Sequence, residues 1–239
     1  MSAADGYISG ITKVVDHGAN SLRYNLVFLG DGYQVDELPK FHTNVQTFIN
    51  TLQATAPFTN LWCDLNIHRV DVVSNDSGAD DPGTSVDGSA GTGATPKTYF
   101  DATFGGEGNL RRLLTCDSAR AHKVAVAQVP EVYMTMVLVN SSQYGGSGGP
   151  VVTFSANVRS AEIALYEMGH FFADEREYYQ SGGSGGADQH DYTCGDAEPN
   201  GTIYTNKIAI IWQAEMPSSA DNLSTTVNAG GLPCESTKV

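Results

Sequence analysis

The sequence predicts an α/β fold built on a mixed, twisted sheet, with a smaller and irregular C-terminal lobe. Three observations predict it. Segments with strand and helix periods alternate through the first two thirds of the chain. The 239 residues include 41% hydrophobic residues, enough to bury one core. The last quarter is dominated by loop-forming residues. We therefore expect a single domain over residues 1–239, with an α/β lobe at 1–175 and a loop-rich lobe at 176–239.

The first elements follow from their apolar periods. Residues 23–29 (RYNLVFL) are predicted to be a strand that ends in the sequence GDGY. Residues 36–54 are predicted to be a helix, because apolar residues recur every three or four positions. These residues are Leu38, Phe41, Val45, Phe48 and Leu52. Residues 65–73 (LNIHRVDVV) alternate and predict a second strand.

The later elements complete the lobe. Residues 123–129, 133–140 and 151–154 are predicted to be strands, and the apolar run 137–139 is typical of a strand buried on both faces. Residues 158–172 are predicted to form a helix, with Ala161, Ala164, Leu165, Met168 and Phe172 as its apolar residues. An SGGSGG stretch at 181–186 then interrupts regular structure.

A long loop separates the second strand from the rest. Residues 74–95 are rich in Gly, Ser, Asp and Thr, and a loop of this length in a compact domain is often functional. Its carboxylates Asp76, Asp80, Asp81 and Asp87 are candidate calcium ligands. Their spacing matches no EF-hand, so a solvated loop remains the alternative.

Charge and hydropathy limit the partners. The net charge of −14 argues against nucleic acid as a partner, because phosphate binding requires a positive surface. No apolar run is long enough to span a bilayer. Residues 1–7 are polar and acidic and do not resemble a signal peptide. We expect a secreted, extracellular protein whose mature domain begins near the start of this sequence; the composition does not predict its oligomeric state.

Four dispersed cysteines indicate disulfides rather than a zinc ribbon, because no pair has C-x-x-C spacing. Chain order suggests Cys63–Cys116 and Cys194–Cys234. Two other connectivities, and free thiols, remain open.

The stretch ALYEMGHFFADE at 164–175 carries the candidate chemistry. It differs in one position from H-E-x-x-H, in which two histidines bind zinc and the glutamate is the general base. Here the first histidine is replaced by Tyr166, while Glu167 and His170 fit. Residues four apart share a helix face, so Tyr166 and His170 could hold one ion beside Glu167. A tyrosine binds zinc only as phenolate, with a reference pKa of about 10, so a packed tyrosine is the alternative.

A catalytic zinc needs a third protein ligand. Asp174 is one candidate, but an unbroken helix would separate Tyr166 from Asp174 by about 12 Å along its axis. The chain must therefore turn after His170 for Asp174 to reach the metal. His190, in the loop DQHDY, is the other candidate ligand.

Five segments together resemble one family. YNLVFLGDGYQVDELPKF, VVSNDSGADDPG, TYFDATFGG, VLVNSSQYGGSGG and EIALYEMGHFFADEREYY are similar to the IgA-specific metallopeptidases, secreted bacterial proteases of the zincin type. The resemblance implies a metzincin-like fold, zinc, and a protein or peptide substrate. It assigns Glu167 as general base, with His170 and Asp174 as ligands. Tyr144, Gly145 and Gly146 would form a rim or edge strand beside the substrate.

Two departures from the family pattern concern the metal site. Tyr166 replaces the first histidine, and the glycine-containing turn before Asp174 is about three residues shorter than in the family. We therefore expect either a zinc metalloendopeptidase or a catalytically degenerate pseudopeptidase with a binding or structural role. A calcium-stabilised carbohydrate-binding domain is a third hypothesis, based on the acidic loop.

Overall fold

The computed structural model describes residues 5–56, 58–86, 88–106, 109–159, 161–165 and 168. Strands are β1 (Gly6–Val15), β2 (Tyr24–Asp31), β3 (Leu65–Ser74), β4 (Val132–Val139), β5 (Gly146–Ser147) and β6 (Val152–Ser155). The α-helices that have both ends described are α1 (Leu38–Ala54), α2 (Phe58–Leu61) and α3 (Ser118–Gln128). Short 3₁₀ turns occupy Asn20–Leu22, Val35–Glu37 and Trp62–Asp64. Residues 161–165 and 168 are helical.

The six strands form one mixed sheet in the order β1-β3-β2-β4-β6-β5. Strands β3, β2, β4 and β6 are parallel, whereas β1 and β5 run antiparallel to their neighbours. The mixed sheet and its helices confirm the predicted α/β class. The proposed C-terminal lobe lies outside the described residues.

Two apolar cores cover the two faces of the sheet. On one face Phe28 and Phe154 pack with α1, where Phe41, Phe48 and Leu52 are buried. On the other face the odd-numbered residues of β2 pack with α3 and with the loop that follows β3. Alternate side chains of a strand point to opposite faces, so β2 contributes to both cores. The helices and the loop on both faces therefore pack against the same parallel strands.

Helix α1 and the predicted strands at 23–29, 65–73, 133–140 and 151–154 are confirmed, whereas two expectations need correction and one strand was not predicted. The predicted strand at 123–129 is part of helix α3. Its buried residues Ala121, Val124 and Ala125 have helical spacing, and the Asp117 side chain accepts a hydrogen bond from Arg120 N at 3.0 Å as an N-cap. This cap and the i, i+3, i+4 pattern outweigh the local alternation of KVAVAQV.

The other two differences are the start of a helix and a strand that was not predicted. The predicted helix at 158–172 does not begin at Val158, which lies in a turn and is 99% exposed, because helical hydrogen bonds start from Arg159 O. Strand β1 was not predicted from the sequence. It is an edge strand with only one neighbour in the described sheet, and its weak apolar pattern reflects that exposure.

Candidate active-site region

The predicted zinc and catalytic residues lie outside the described part of the chain. This holds for Tyr166, Glu167, His170, Asp174 and the alternative ligand His190. The structure does describe the segment that leads into them and one residue between them, Met168. It also describes the three predicted substrate-binding residues.

The helical segment before Tyr166 is fixed to the first core. Ile163 is 8% exposed, and Ala164 and Met168 are fully buried among the side chains that cover the α1 face of the sheet. Ala164 and Met168 are four residues apart and share one face of a helix, and Ile163 borders that face. This apolar face therefore holds the segment against the sheet, in agreement with its sequence pattern.

Strand β5 lies next to this segment. It pairs antiparallel with β6, with Gly146 opposite Phe154. The predicted edge strand within 144–149 is therefore present, although only Gly146 and Ser147 belong to it. Tyr144 is the most exposed of the three predicted substrate residues, at 43%.

The backbone of β5 is already bonded on its outer side. Gly146 N donates to Arg112 O at 3.1 Å, and Gly146 O accepts from Leu114 N at 3.4 Å. Ser147 Oγ donates to Leu114 O at 2.6 Å. On the other side Gly145 O accepts from Ser155 N at 3.1 Å. A substrate strand cannot pair with Gly146 unless the 112–114 segment is displaced.

The two glycines are also required by close packing. A Cβ on Gly145 would lie 2.6 Å from Phe104 Cε1 and 2.9 Å from Arg112 O. A Cβ on Gly146 would lie 2.3 Å from Ile163 Cγ2. The two distances to carbon atoms are too short for non-bonded contacts. Packing alone thus explains why glycine stands at 145 and 146.

A buried carboxylate organises the carboxyl ends of the parallel strands. Asp31, the last residue of β2, is fully buried. Its oxygens accept hydrogen bonds from Phe100 N (2.8 Å), Thr98 Oγ1 (2.8 Å), Ala102 N (3.1 Å) and Ser74 Oγ (3.4 Å). Burial raises the pKa of Asp31 to about 6, partly offset by these donors. Asp31 therefore ties residues 98–102 to the sheet.

A second network continues from the following residue. Gly32 O accepts from Asn140 Nδ2 at 2.8 Å and from Gly78 N at 3.0 Å. Lys40 Nζ on α1 donates to Asn140 Oδ1 at 2.6 Å. These bonds join β2, β4, α1 and the acidic loop at one end of the sheet. From the sequence, GDGY was predicted only to end a strand; a lone Asp after an apolar strand is the one local signal of this network.

A cleft of about 560 Å³ opens beside these networks. Its lining includes Ser77, Thr92, Phe104 and the segment 141–143, which directly precedes Tyr144. One wall carries an ion pair in which Arg111 Nε and Nη2 donate to the two oxygens of Asp81 at 3.2 and 3.1 Å. Arg111 was not predicted, since an arginine in a loop gives no signal of its ion-pair partner.

The acidic loop gives calcium no support. Asp81 is paired with Arg111 and accepts from Thr92 N at 2.8 Å, and Asp76 accepts from Lys97 N at 2.8 Å. Asp87 lies outside the described residues. Within the described ranges, no three His, Cys, Asp or Glu side chains form a group that could hold a metal.

The predicted Cys63–Cys116 disulfide is wrong. Cys116 is a free thiol whose Sγ lies 3.3 Å from Thr153 Oγ1. Burial raises the pKa of this thiol to about 11, which disfavours the reactive thiolate. The second predicted pair, Cys194–Cys234, lies outside the described residues.

The comparisons with known proteins give one match. The model of the family described as IgA Peptidase M64 matches residues 12–227. This range contains the whole of β2 to β6, the helical residues 161–165 and 168, and all the predicted zinc ligands. No curated protein matches the chain. In the described part of the chain, no helix is long and apolar enough to cross a membrane.

Proposed function

Because the chain belongs to the IgA Peptidase M64 family, we propose that it is a secreted, zinc-dependent metalloendopeptidase with a metzincin-like fold that hydrolyses peptide bonds of protein substrates. The family match over residues 12–227 is the observation that carries this proposal. Residues 161–165 and 168, which adjoin Tyr166 and Glu167 in the sequence, are helical, as the motif requires, and Ile163, Ala164 and Met168 are buried.

The residues of the candidate site have distinct roles in this proposal. His170 and Asp174 would hold zinc, with Tyr166 as a third donor if its hydroxyl is deprotonated. His190 remains the alternative to Asp174. Zinc, when bound, lowers the pKa of a coordinated water. Glu167 would accept the proton released as water attacks the peptide carbonyl, and would pass it to the leaving amine.

The available donors partly suit zinc. Imidazole and carboxylate are ordinary zinc ligands, and no competing metal group exists within the described residues. Tyr166 is the weak member, because a phenol must lose its proton before it can bind. The donor set therefore predicts zinc binding that is weaker than that of a site with two histidines.

The first experiment measures zinc content and peptidase activity together. We expect the purified protein to bind one zinc ion, and Glu167→Gln to lose most of its peptidase activity while it retains zinc. The matched control is Glu162→Gln, because Glu162 is exposed on the same helical segment. Equal activity in both variants would refute the role of Glu167.

The alternative is a degenerate pseudopeptidase, and the departure at Tyr166 favours it. Tyr166→His distinguishes the two, because a neutral imidazole binds zinc without prior deprotonation. We expect this variant to bind zinc more tightly in a competition assay with a chelator. If activity is present in the natural chain, the peptidase proposal stands. Tighter zinc binding with no activity in either protein would support the pseudopeptidase.

A further inference from the structure

Three buried polar side chains form a network where the parallel strands begin, at the end of the sheet opposite the cleft. Asn25 of β2 and Asn66 of β3 are fully buried, and His68 of β3 is 4% exposed. Asn25 is aligned with Asn66, and Val27 is aligned with His68. Residues two apart on a strand share a face, so the three polar side chains lie together on the face that Val27 contributes to the second core.

The two asparagines of this network hold the connection between β1 and β2. Asn66 Oδ1 accepts a hydrogen bond from His17 N at 2.9 Å, and Asn66 Nδ2 donates to Gly18 O at 3.1 Å. Asn25 Nδ2 donates to Asn20 O at 2.8 Å. The backbone of this connection is therefore tied to side chains that lie beneath it.

The network also fixes the position of the proton on the neutral ring of His68. The amide nitrogen of Asn25 donates to backbone carbonyls, so its Oδ1 is the acceptor. This oxygen accepts from Asn66 Nδ2 at 3.2 Å and lies 3.3 Å from His68 Nε2. His68 Nε2 therefore carries the hydrogen in the neutral ring, and a second proton binds at Nδ1.

A second proton brings a positive charge into a site that disfavours it. Burial lowers the pKa of His68, and the charge of Lys13, which is aligned with it in β1, lowers the pKa further. The charges of Asp16 and Glu131 act in the opposite direction but do not reverse the shift. Arg69, on the same strand, points to the other face of the sheet. Helix α3 packs mainly on β2 and β4 rather than on β3.

We propose that His68 is an acid-sensitive latch on the connection between β1 and β2: the network stays closed while the ring is neutral, and a second proton on Nδ1 opens it. The connection opens before the strands separate, because Gly18 and Ala19 are exposed whereas Asn25 and Asn66 are buried. This response to pH goes beyond the peptidase proposal and does not depend on it.

The direction of the effect follows from the lowered pKa. The closed network is fully stable above the pKa of an exposed imidazole, about 6.5, and loses stability as pH falls through the pKa of the buried ring. Between these two pKa values, each pH unit shifts the opening equilibrium by up to about tenfold. The backbone amide of His17 reports the opening, because it is bonded to Asn66 Oδ1.

The experiment measures hydrogen exchange of the His17 amide, corrected for the intrinsic pH dependence of exchange. Its protection should be constant between about pH 8 and 7 and should fall by up to about tenfold per pH unit below about 6.5. His68→Gln keeps an amide donor near the position of Nε2 but does not titrate, so its protection should not change with pH. The control is His122→Gln on the exposed side of α3, which should keep the natural pH dependence. Asp31 titrates in all three proteins and cancels in the comparison.

Two outcomes overturn the proposal. One is a His68→Gln protein whose His17 amide shows the same pH dependence as the natural chain. The other uses the natural chain alone and so does not require the variant to fold. The His68 ring is titrated by NMR, and its midpoint should coincide with the midpoint of the loss of protection at His17. A ring that titrates without any loss of protection would show that the network stays closed when His68 is charged.

Discussion

Gly32 is the position where the structure makes its strongest prediction about stability. It follows the buried Asp31 and has φ +69°, a conformation that glycine adopts far more readily than alanine. A Cβ there would lie 1.8 Å from Gly78 O and 2.8 Å from Gly78 C. Gly32→Ala therefore combines backbone strain with a collision against another backbone segment.

The magnitude is the sum of separate costs. The left-handed conformation costs alanine about 1–2 kcal/mol. Relief of the collision requires Gly78 to move by more than about 1 Å, which breaks the 3.0 Å bond from Gly78 N to Gly32 O. The lost hydrogen bond costs about 0.5–1.5 kcal/mol, because Gly32 O keeps its bond from Asn140 Nδ2. We expect Gly32→Ala to lower the free energy of unfolding by roughly 1.5–3.5 kcal/mol.

The assay is urea unfolding followed by tryptophan fluorescence, with Gly93→Ala as the control. Gly93 has φ +77°, and a Cβ there meets nothing within 4 Å. Gly93→Ala should therefore cost only the conformational strain, about 1–2 kcal/mol. The difference between the two variants isolates the collision. Equal losses of stability would show that Gly78 moves freely, and the reasoning about a locked junction would be refuted.

Two further predictions concern titratable groups. Burial raises the pKa of Asp31 from 3.8 to about 6, so the folded state holds this proton more tightly than the unfolded chain; the resulting stability is present below pH 4 and is lost as pH rises from about 4 to 6. The shift corresponds to about 3 kcal/mol of stability. In urea unfolding from pH 4 to 6, the free energy of unfolding should fall more steeply with pH for the natural chain than for Asp31→Asn, whereas the control Asp36→Asn, at an exposed position, should keep the natural slope. Equal slopes for the natural chain and Asp31→Asn would contradict the linkage. Cys116 is a free, half-buried thiol that packs against the second core, so a thiol reagent should label it much more slowly in the folded protein than after unfolding; equal labelling rates would contradict this protection.

Much of the fold follows from local patterns. The apolar stripe of α1 and the runs of β2, β3 and β4 predict their own elements, because both faces of these strands are buried. Helix α3 could not be predicted in the same way, since its segment KVAVAQV alternates as a strand does. Its helical state depends on the Asp117 cap and on burial of one face against the sheet.

The site was predicted only as a motif. Glu167 and His170 stand out because their spacing matches known zinc chemistry. Asp31 could not be recognised, because its importance depends on the distant partners Phe100 and Ala102. Contacts of this kind arise from the register of the sheet, and no local pattern encodes them.

The 112–114 segment that covers β5 has a consequence for solubility. A sheet edge with unpaired backbone groups can recruit a second chain and start aggregation. At the β5 end, Gly146 is already bonded on its outer side. At the other end, the pairing of β1 with β3 shifts register between Ile8 and Gly10 and again between Lys13 and Val15. Such irregularities bend an edge strand away from a flat template. Each end of the described sheet thus carries its own protection against edge-to-edge association, and exposing Gly146 would remove one of the two.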